Sequence, residues 1–236
     1  SFNNGGDSFG SVSFFADQAA CPFRGYAIHR LGSNTMQEPS PGISKKLQGI
    51  LVHDVLANIW IHIKSLDNLR SKNSDELDRV IAISVENVFR KSDNLISCEA
   101  PIIDIEKNRI KKLVLNWLEF EKKGENFKVV ATEKKVRGKI FNTNISCRID
   151  RLDQLTNGSL RVIDYKTGAF TKVDLEPPRI NAPQLYLYSM LVGLDKVKGF
   201  SIARINANTV SLVSKNFEVG DDQVWHEDLK SISQEI

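Results

Sequence analysis

Residues 145–168 constrain the fold of this chain more than any other stretch. They contain two runs rich in apolar residues, separated by Thr156-Asn157-Gly158-Ser159. Asn-Gly between two such runs is the strongest short-range signal of a β-hairpin. The sequence therefore predicts two antiparallel strands joined by a tight turn.

Each strand of this hairpin carries a carboxylate, Asp150 on the first and Asp164 on the second. We expect Asp150 near the carboxyl end of its strand, where the hairpin can bring it beside Asp164. Side chains alternate along a strand, so Asp164 and Lys166 share one face while Tyr165 points to the other. Two converging carboxylates repel each other unless a cation lies between them, and oxygen ligands of this kind suit Mg²⁺ or Mn²⁺. An ammonium group beside such a site can orient water and stabilise charge on a phosphoryl oxygen.

Length and composition indicate a single globular domain. The chain has 236 residues, of which 41% are hydrophobic, enough to form a substantial core. No run approaches about 18 consecutive apolar residues, and the first residues lack the features of a signal peptide. These observations predict an intracellular protein that does not contact membranes.

The formal net charge is only +3, and this total says little about partners. Lys and Arg recur in short clusters, and each one taken singly is typical of solvated surface. Only clusters that converge on a catalytic cleft would contact phosphates. The clusters are Lys45-Lys46, Arg90-Lys91, Lys111-Lys112, Lys122-Lys123 and Lys134-Lys135 with Arg137 and Lys139.

The pattern upstream of residue 125 is mainly helical, and the pattern downstream alternates as strands do. Apolar spacing predicts helices over 13–31, 44–64, 74–91, 102–123 and 182–192, and strands over 127–140, 197–205 and 209–217. We expect 1–12 to be a flexible lead-in, 13–124 the helical part of one domain, 125–217 its catalytic sheet and following helix, and 218–236 a C-terminal helix. The long loop 167–181, with Pro177 and Pro178, is typical of a mobile flap beside a functional site.

Four motifs in order resemble the PD-(D/E)xK nuclease superfamily, and within it the RecB-like branch. They are the G-x-x-x-H pattern of Gly49-Ile50-Leu51-Val52-His53, the Asp of Arg148-Ile149-Asp150-Arg151-Leu152-Asp153, Asp164-Tyr165-Lys166-Thr167-Gly168, and the Q-x-x-x-Y pattern of Gln184 and Tyr188. In addition, residues 16–24 look like the opening of the nuclease domain in bacterial DNA-repair proteins related to inactivated helicase-nucleases. The resemblance covers roughly residues 10 to 215, or nearly the whole chain.

The resemblance implies an α/β fold, with a central mixed sheet of about five strands flanked by helices on both sides. We expect the helices before Glu125 to cover one face of this sheet. The implied activity is metal-dependent hydrolysis of DNA to products with 5′-phosphates, in repair or recombination.

The resemblance also assigns residue roles. Asp150, Asp164 and His53 would ligate Mg²⁺ or Mn²⁺, together with the backbone carbonyl of Tyr165. Lys166 would help to orient or deprotonate the attacking water. Gln184 and Tyr188 would engage the nucleic acid or support the metal ligands.

Glu133 and His53 each allow a second interpretation. Related nucleases often carry a Glu at the position of Glu133, near the metal, but a surface Glu paired with Lys134 or Lys135 explains it as well, because sequence does not fix the register of the strands. His53, at the edge of an apolar helical stripe, would on its own be structural; the G-x-x-x-H pattern favours a metal ligand.

The three cysteines form no C-x-x-C pair, which fits a reducing compartment. Some RecB-like nucleases use a cysteine in a C-P context, like Cys21 here, as the first ligand of an iron-sulphur cluster and supply three more after the Q-x-x-x-Y region. No cysteine follows Cys147 in this sequence, so we expect no such cluster and expect Cys21 to be a small buried apolar residue.

A second function stays open, that of a nuclease-fold scaffold or DNA-binding module that no longer cuts, within a helicase-nuclease assembly. No Walker A motif occurs, so a helicase or ATPase would lie elsewhere in a longer polypeptide or in a partner. The chain itself is expected to be a fragment of such a polypeptide, working on DNA in the bacterial cytoplasm in association with the nucleoid. The sequence leaves open whether that DNA is single- or double-stranded.

Overall fold

The computed structural model describes residues 10–33, 42–95, 98–140, 143–168 and 183–217, together with Glu227 and Lys230. Most of the predicted flap and of the predicted C-terminal helix lie outside these residues. The helices are α1 (Val12–Ala20), α2 (Pro22–His29), α3 (Lys45–Ile63), α4 (Leu66–Arg70), α5 (Ser74–Lys91), α6 (Ala100–Glu121) and α7 (Gln184–Val192). The strands are β1 (Gly10–Ser11), β2 (Phe127–Ile140), β3 (Thr143–Leu155), β4 (Leu160–Lys166), β5 (Val197–Ile205) and β6 (Val210–Asn216).

The strands within the described residues form one mixed sheet of six. β2 to β6 are neighbours in chain order, and β1 pairs in parallel with the early part of β3, on the edge that β4 occupies further along. β3 and β4 are antiparallel, which confirms the predicted hairpin, and Gly158 in its turn has a φ of 82° that suits glycine. β4 and β5 are parallel, with α7 between them in the chain. The predicted α/β class, a mixed sheet flanked by helices, is confirmed.

Each face of the sheet is covered by its own apolar layer. Alternation along β4 sends Ile163 and Tyr165 into the layer that α3 to α6 build, and Val162 into the layer that contains α1 and α7. The larger layer contains the buried Trp60 and Trp117. The sheet is therefore buried on both sides over much of its length, and polar side chains pointing into either layer need partners.

The helices of the larger layer start where local capping is strongest. Ser44 accepts a hydrogen bond from the Leu47 amide at the start of α3. Asn73 and Glu76 form a reciprocal capping box at the start of α5. These caps explain why the predicted boundaries at 44 and 74 agree with the structure within one residue.

The N-terminal region differs from prediction in several respects. The single helix expected over 13–31 is two helices, because Pro22 has no N–H to continue the ladder of α1 and opens α2 instead. Cys21, at this junction, is exposed rather than buried. Gly10, Ser11 and Val12, assigned to a flexible lead-in, begin the sheet and α1.

The packing of α1 also corrects the expected arrangement of layers. Its buried residues Val12, Phe15 and Ala19 belong to the layer of α7, so not all helices before Glu125 cover one face. The reason is that β1 lies in the sheet immediately before α1 and delivers it to that side. No helix within the described residues is both long enough and apolar enough for a membrane crossing.

Candidate active site

The two carboxylates of the hairpin lie where its strands separate. The β3–β4 ladder ends at the pair Arg151 and Ile163, so the next pair would be Asp150 and Asp164. Instead, the Tyr165 amide donates a hydrogen bond of 2.8 Å to Oδ2 of Asp150, while β4 stays paired with β5 as far as Lys166. Asp150 is thus in the middle of β3 and not near its carboxyl end, because β3 continues to Leu155.

Helix α3 brings His53 to this point. Its Nδ1 lies 3.3 Å from Oδ2 of Asp150, and its ring packs edge-on against Tyr165 at 5.8 Å between centroids. Gly49, one turn earlier, explains the close approach of the helix: a Cβ there would lie 3.3 Å from Oγ1 of Thr167, which follows Lys166. In the G-x-x-x-H pattern, the glycine therefore lets the helix approach Thr167, and the histidine one turn later contacts Asp150.

Glu133 joins this group from β2. It lies across from Asp150, between the pairs Thr132–Arg151 and Lys134–Ile149, and its φ of 48° is a left-handed conformation that non-glycine residues rarely adopt. Ligand atoms of His53, Glu133 and Asp150 all lie within 4.8 Å of one another. Its ion pair is with Arg148, at 2.6 Å, and not with Lys134 or Lys135 as the surface interpretation held.

Asp164 is held by the lysine of its own strand. Its Oδ2 lies 3.0 Å from Nζ of Lys166, and the carboxylate is buried. The predicted sharing of a face by Asp164 and Lys166 is therefore confirmed. Asp164 does not belong to the compact group that His53, Glu133 and Asp150 form, and the metal-ligand role of the Tyr165 carbonyl stays a prediction. We call His53, Glu133, Asp150, Asp164 and Lys166 the acidic site.

The acidic site contains more negative charge than its cations offset. Burial raises the pKa of Asp164 to about 6, assisted by the charge of Asp150 and opposed by Lys166. Burial and the charge of Asp150 also raise the pKa of Glu133. Burial on its own would lower the pKa of His53, but the hydrogen bond and charge of Asp150 raise it overall. Burial and the repulsion between carboxylates thus both favour the protonated forms of Asp164 and Glu133, and the charge of Asp150 favours protonated His53.

This donor set fits a divalent cation. Apart from its contact with Arg148, Glu133 has no hydrogen-bond partner for either buried oxygen among the described residues. Carboxylate oxygens with one imidazole are suitable ligands for Mg²⁺ or Mn²⁺. A bound cation would satisfy these oxygens and relieve the repulsion between Glu133 and Asp150.

Comparison with known proteins agrees with this geometry. The family model described as the PD-(D/E)XK nuclease superfamily matches residues 10–234. The chain belongs to that superfamily. No curated protein matches it.

Among solved structures, a “Putative exonuclease” from Eubacterium rectale is 15% identical, with a TM-score of 0.47 over 97% of this chain and 78% of that chain. The structure of SSO0001 is also 15% identical, with a TM-score of 0.33 over 94% of this chain and 84% of that one.

In this PD-(D/E)XK chain, α7 lies against the sheet beside the acidic site. Burial raises the pKa of the Tyr188 hydroxyl, and the charges of Asp164 and Asp150 add to the effect, so Tyr188 lies within electrostatic reach of both. Oε1 of Gln184 is buried without a hydrogen-bond partner in the described part of the chain. Their predicted roles toward nucleic acid or metal ligands stay predictions.

Sequence reasoning missed a second ionic group of this PD-(D/E)XK chain, which lies directly behind the acidic site. Arg151, the neighbour of Asp150, points into the larger apolar layer and donates hydrogen bonds to Glu121, Asp153 and the Tyr165 hydroxyl. Arg161 lies 3.4 Å from the same Asp153 oxygen. We call Glu121, Arg151, Asp153 and Arg161 the buried ionic cluster. The signal that could have indicated it is the pair Arg151 and Asp153, two charged residues on either side of the apolar Leu152 in a predicted strand.

Tyr165 connects the two groups. Its hydroxyl accepts a hydrogen bond from Arg151, its ring contacts His53, and its amide donates a hydrogen bond to Asp150. The buried ionic cluster therefore holds the strand that orients two residues of the acidic site.

Proposed function

We propose that this PD-(D/E)XK chain is a metal-dependent deoxyribonuclease that hydrolyses phosphodiester bonds in DNA repair or recombination. The observation that carries the proposal is the convergence of His53, Glu133 and Asp150 within 4.8 Å, next to the Asp164–Lys166 pair. A nuclease fold implies a nucleic-acid substrate, and a substrate phosphate would bring further negative charge to a site already rich in it. A divalent cation would offset both the negative charge of the site and that of the substrate phosphate.

His53, Glu133 and Asp150 would hold the metal, with Asp164 adjacent. Glu133 would be a principal ligand, and Asp164 would join the ligand set while keeping its ion pair with Lys166. A bound Mg²⁺ or Mn²⁺ would lower the pKa of coordinated water and offset charge on the phosphate. The Tyr165 amide fixes the Asp150 carboxylate in place, which reduces the reorganisation needed when substrate binds.

Lys166 would supply the ammonium group of the mechanism. Asp164 lies 3.0 Å from its Nζ and so holds the ammonium group at the last residue of β4. From there it can donate a hydrogen bond to a phosphate oxygen or orient the attacking water. The side chain is about one-third exposed, so substrate can reach it.

The wider role follows from the RecB-like pattern of motifs. We infer that the nuclease works with a helicase or ATPase-like region, in the same polypeptide or in a partner, on DNA in the bacterial nucleoid. Strandedness, polarity and the choice between internal and terminal cutting depend on that context.

The test is Lys166→Met, with Lys198→Met as the matched control on an exposed position of β5. We expect Lys166→Met to lower the rate at saturating DNA by about 10²- to 10³-fold, as loss of one oriented donor commonly does, while Lys198→Met cuts as wild type. Equal turnover by both variants would contradict the mechanism. Metal-independent DNA binding with no cleavage by any of the three proteins would favour the scaffold function instead.

A further inference from the structure

One face of the β2–β3 hairpin carries a row of cations. Alternation gives Lys135, Arg137 and Lys139 of β2 the same face, and the register pairs Lys135 with Arg148 of β3. All four side chains are exposed. We call Lys135, Arg137, Lys139 and Arg148 the cationic face.

The opposite face of the same hairpin is packed against the protein. Ile145 and Cys147 of β3 are buried there in the layer of α1 and α7. A Cβ at Gly138 would lie 2.6 Å from Cδ2 of Leu191, so α7 sits directly on the backbone of β2. The cationic face is therefore on the side of the sheet opposite α1 and α7, and Asp54 of α3 lies close enough to Arg148 to interact with it electrostatically.

The cationic face leads into the acidic site. Arg148 lies two residues before Asp150 on β3 and forms its ion pair with Glu133, two residues before Lys135 on β2. From Lys139 to Glu133 the strand spans roughly 20 Å, or about six nucleotide steps of one strand of a duplex. A phosphate backbone following these cations would run toward the proposed metal ligands.

The clusters of Lys and Arg on α5 and α6 do not lie on this hairpin. Arg90-Lys91 and Lys111-Lys112 belong to those helices, and Lys122 pairs with Glu119. Lysines on an edge strand can also serve to prevent association of sheet edges. That role does not account for Arg148, which lies on an interior strand.

We propose that the cationic face binds the phosphate backbone of a nucleic-acid strand and guides it to the acidic site. The path of the strand toward the acidic site rests on the proposed nuclease function. The choice of a phosphate backbone as the ligand follows from charge complementarity alone. It predicts that affinity rises with oligonucleotide length until the cationic face is filled.

The test is the triple variant Lys135→Gln, Arg137→Gln and Lys139→Gln, with Arg79→Gln, Lys91→Gln and Lys112→Gln on α5 and α6 as the matched control. Binding of fluorescent oligonucleotides of 4 to about 30 nucleotides, single- and double-stranded, is measured by anisotropy in EDTA over a series of salt concentrations. Each lost phosphate contact lowers the slope of log affinity against log salt by about 0.7 to 0.9. We expect the triple variant to lose about 2 to 3 from that slope and at least about tenfold in affinity, and the control to match wild type.

Equal slopes for the triple variant and wild type would overturn the proposal, as would absence of DNA binding by wild type. If the triple variant does not fold, the single variants Lys135→Gln and Lys139→Gln test the proposal instead. Each should lower the slope by the amount expected for about one phosphate contact. Because the assay contains no metal and involves no cutting, failure of the nuclease function would appear only in the cleavage assay and would leave this result standing.

Discussion

The buried ionic cluster and the acidic site use neighbouring residues of the same two strands, yet they differ in how their charge is met. In the buried ionic cluster, two guanidinium groups, Arg151 and Arg161, face two carboxylates, Glu121 and Asp153. Arg151 also lies over the rings of Trp60 and Phe127, at 4.6 and 4.7 Å from their centroids. Two cations thus face two carboxylates, and the side chains of Glu121, Arg151 and Asp153 are buried.

The acidic site has no such balance. Glu133, Asp150 and Asp164 share Lys166, the exposed Arg148 and a histidine. Asp150 and Asp153 are only three residues apart but have different roles. Asp153 is part of the buried ionic cluster, whereas Asp150 remains available to a ligand. Substitutions should therefore separate stability from function along a single strand.

The largest expected effect on stability is that of Arg151→Met. The change leaves Glu121 and Asp153 buried with only Arg161 nearby, and breaking a buried ion pair in this way costs about 3 to 5 kcal/mol. Urea unfolding gives the free energy of unfolding, with the exposed Lys198→Met as control, which should stay within about 0.5 kcal/mol of wild type. A loss below about 1 kcal/mol for Arg151→Met would show that the buried ionic cluster is not the structural support described above.

In the absence of metal, Asp164→Asn should increase the free energy of unfolding. Because the folded pKa of Asp164 is raised to about 6, the folded state holds its proton more tightly than the unfolded state, so wild-type stability falls as pH rises from about 4 through about 6. Asn removes this penalty, and the variant should be more stable than wild type by about 3 kcal/mol at pH 7.

The difference between Asp164→Asn and wild type should shrink to less than about 1 kcal/mol near pH 4, where Asp164 of the folded protein is protonated. Denaturant unfolding in EDTA at both pH values measures it. A variant less stable than wild type at pH 7 would mean that the ion pair with Lys166 outweighs the burial of Asp164.

Gly49→Ala should have the smallest effect on stability and a clear one on cleavage. Alanine favours a helix by about 1 kcal/mol over glycine, which offsets the crowding of its Cβ against Thr167, so the free energy of unfolding should change by less than about 1 kcal/mol. Cleavage should fall several-fold, because the displaced Thr167 follows Lys166 directly. In the background of Thr167→Ala, which removes the crowded Oγ1, Gly49→Ala should have no further effect on cleavage; an additive loss would exclude this contact as the cause.

Much of the fold could be predicted from local signals. The strands around Asn157-Gly158, the capped starts of α3 and α5, and the closing pair β5 and β6 all agree with the pattern, because each depends on neighbouring residues alone. The break at Pro22 is also a local signal. It was not predicted because the apolar spacing is helical on both sides of Pro22.

The parts that could not be predicted depend on register and on long-range contacts. The position of Glu133 follows from its left-handed backbone and its pairing opposite Asp150, neither of which periodicity encodes. The buried ionic cluster required knowing that Glu121, thirty residues upstream, meets Arg151. The roles of Gln184 and Tyr188 still rest on resemblance.

The most direct test of the acidic site is titration of wild type and Asp150→Asn with Mn²⁺ by calorimetry, followed by incubation of the same samples with labelled single- and double-stranded DNA. We predict saturable Mn²⁺ binding by wild type that Asp150→Asn loses, together with metal-dependent cutting by wild type alone. Absence of specific Mn²⁺ binding by wild type, or equal binding and cutting by both proteins, would contradict the assignment of this site.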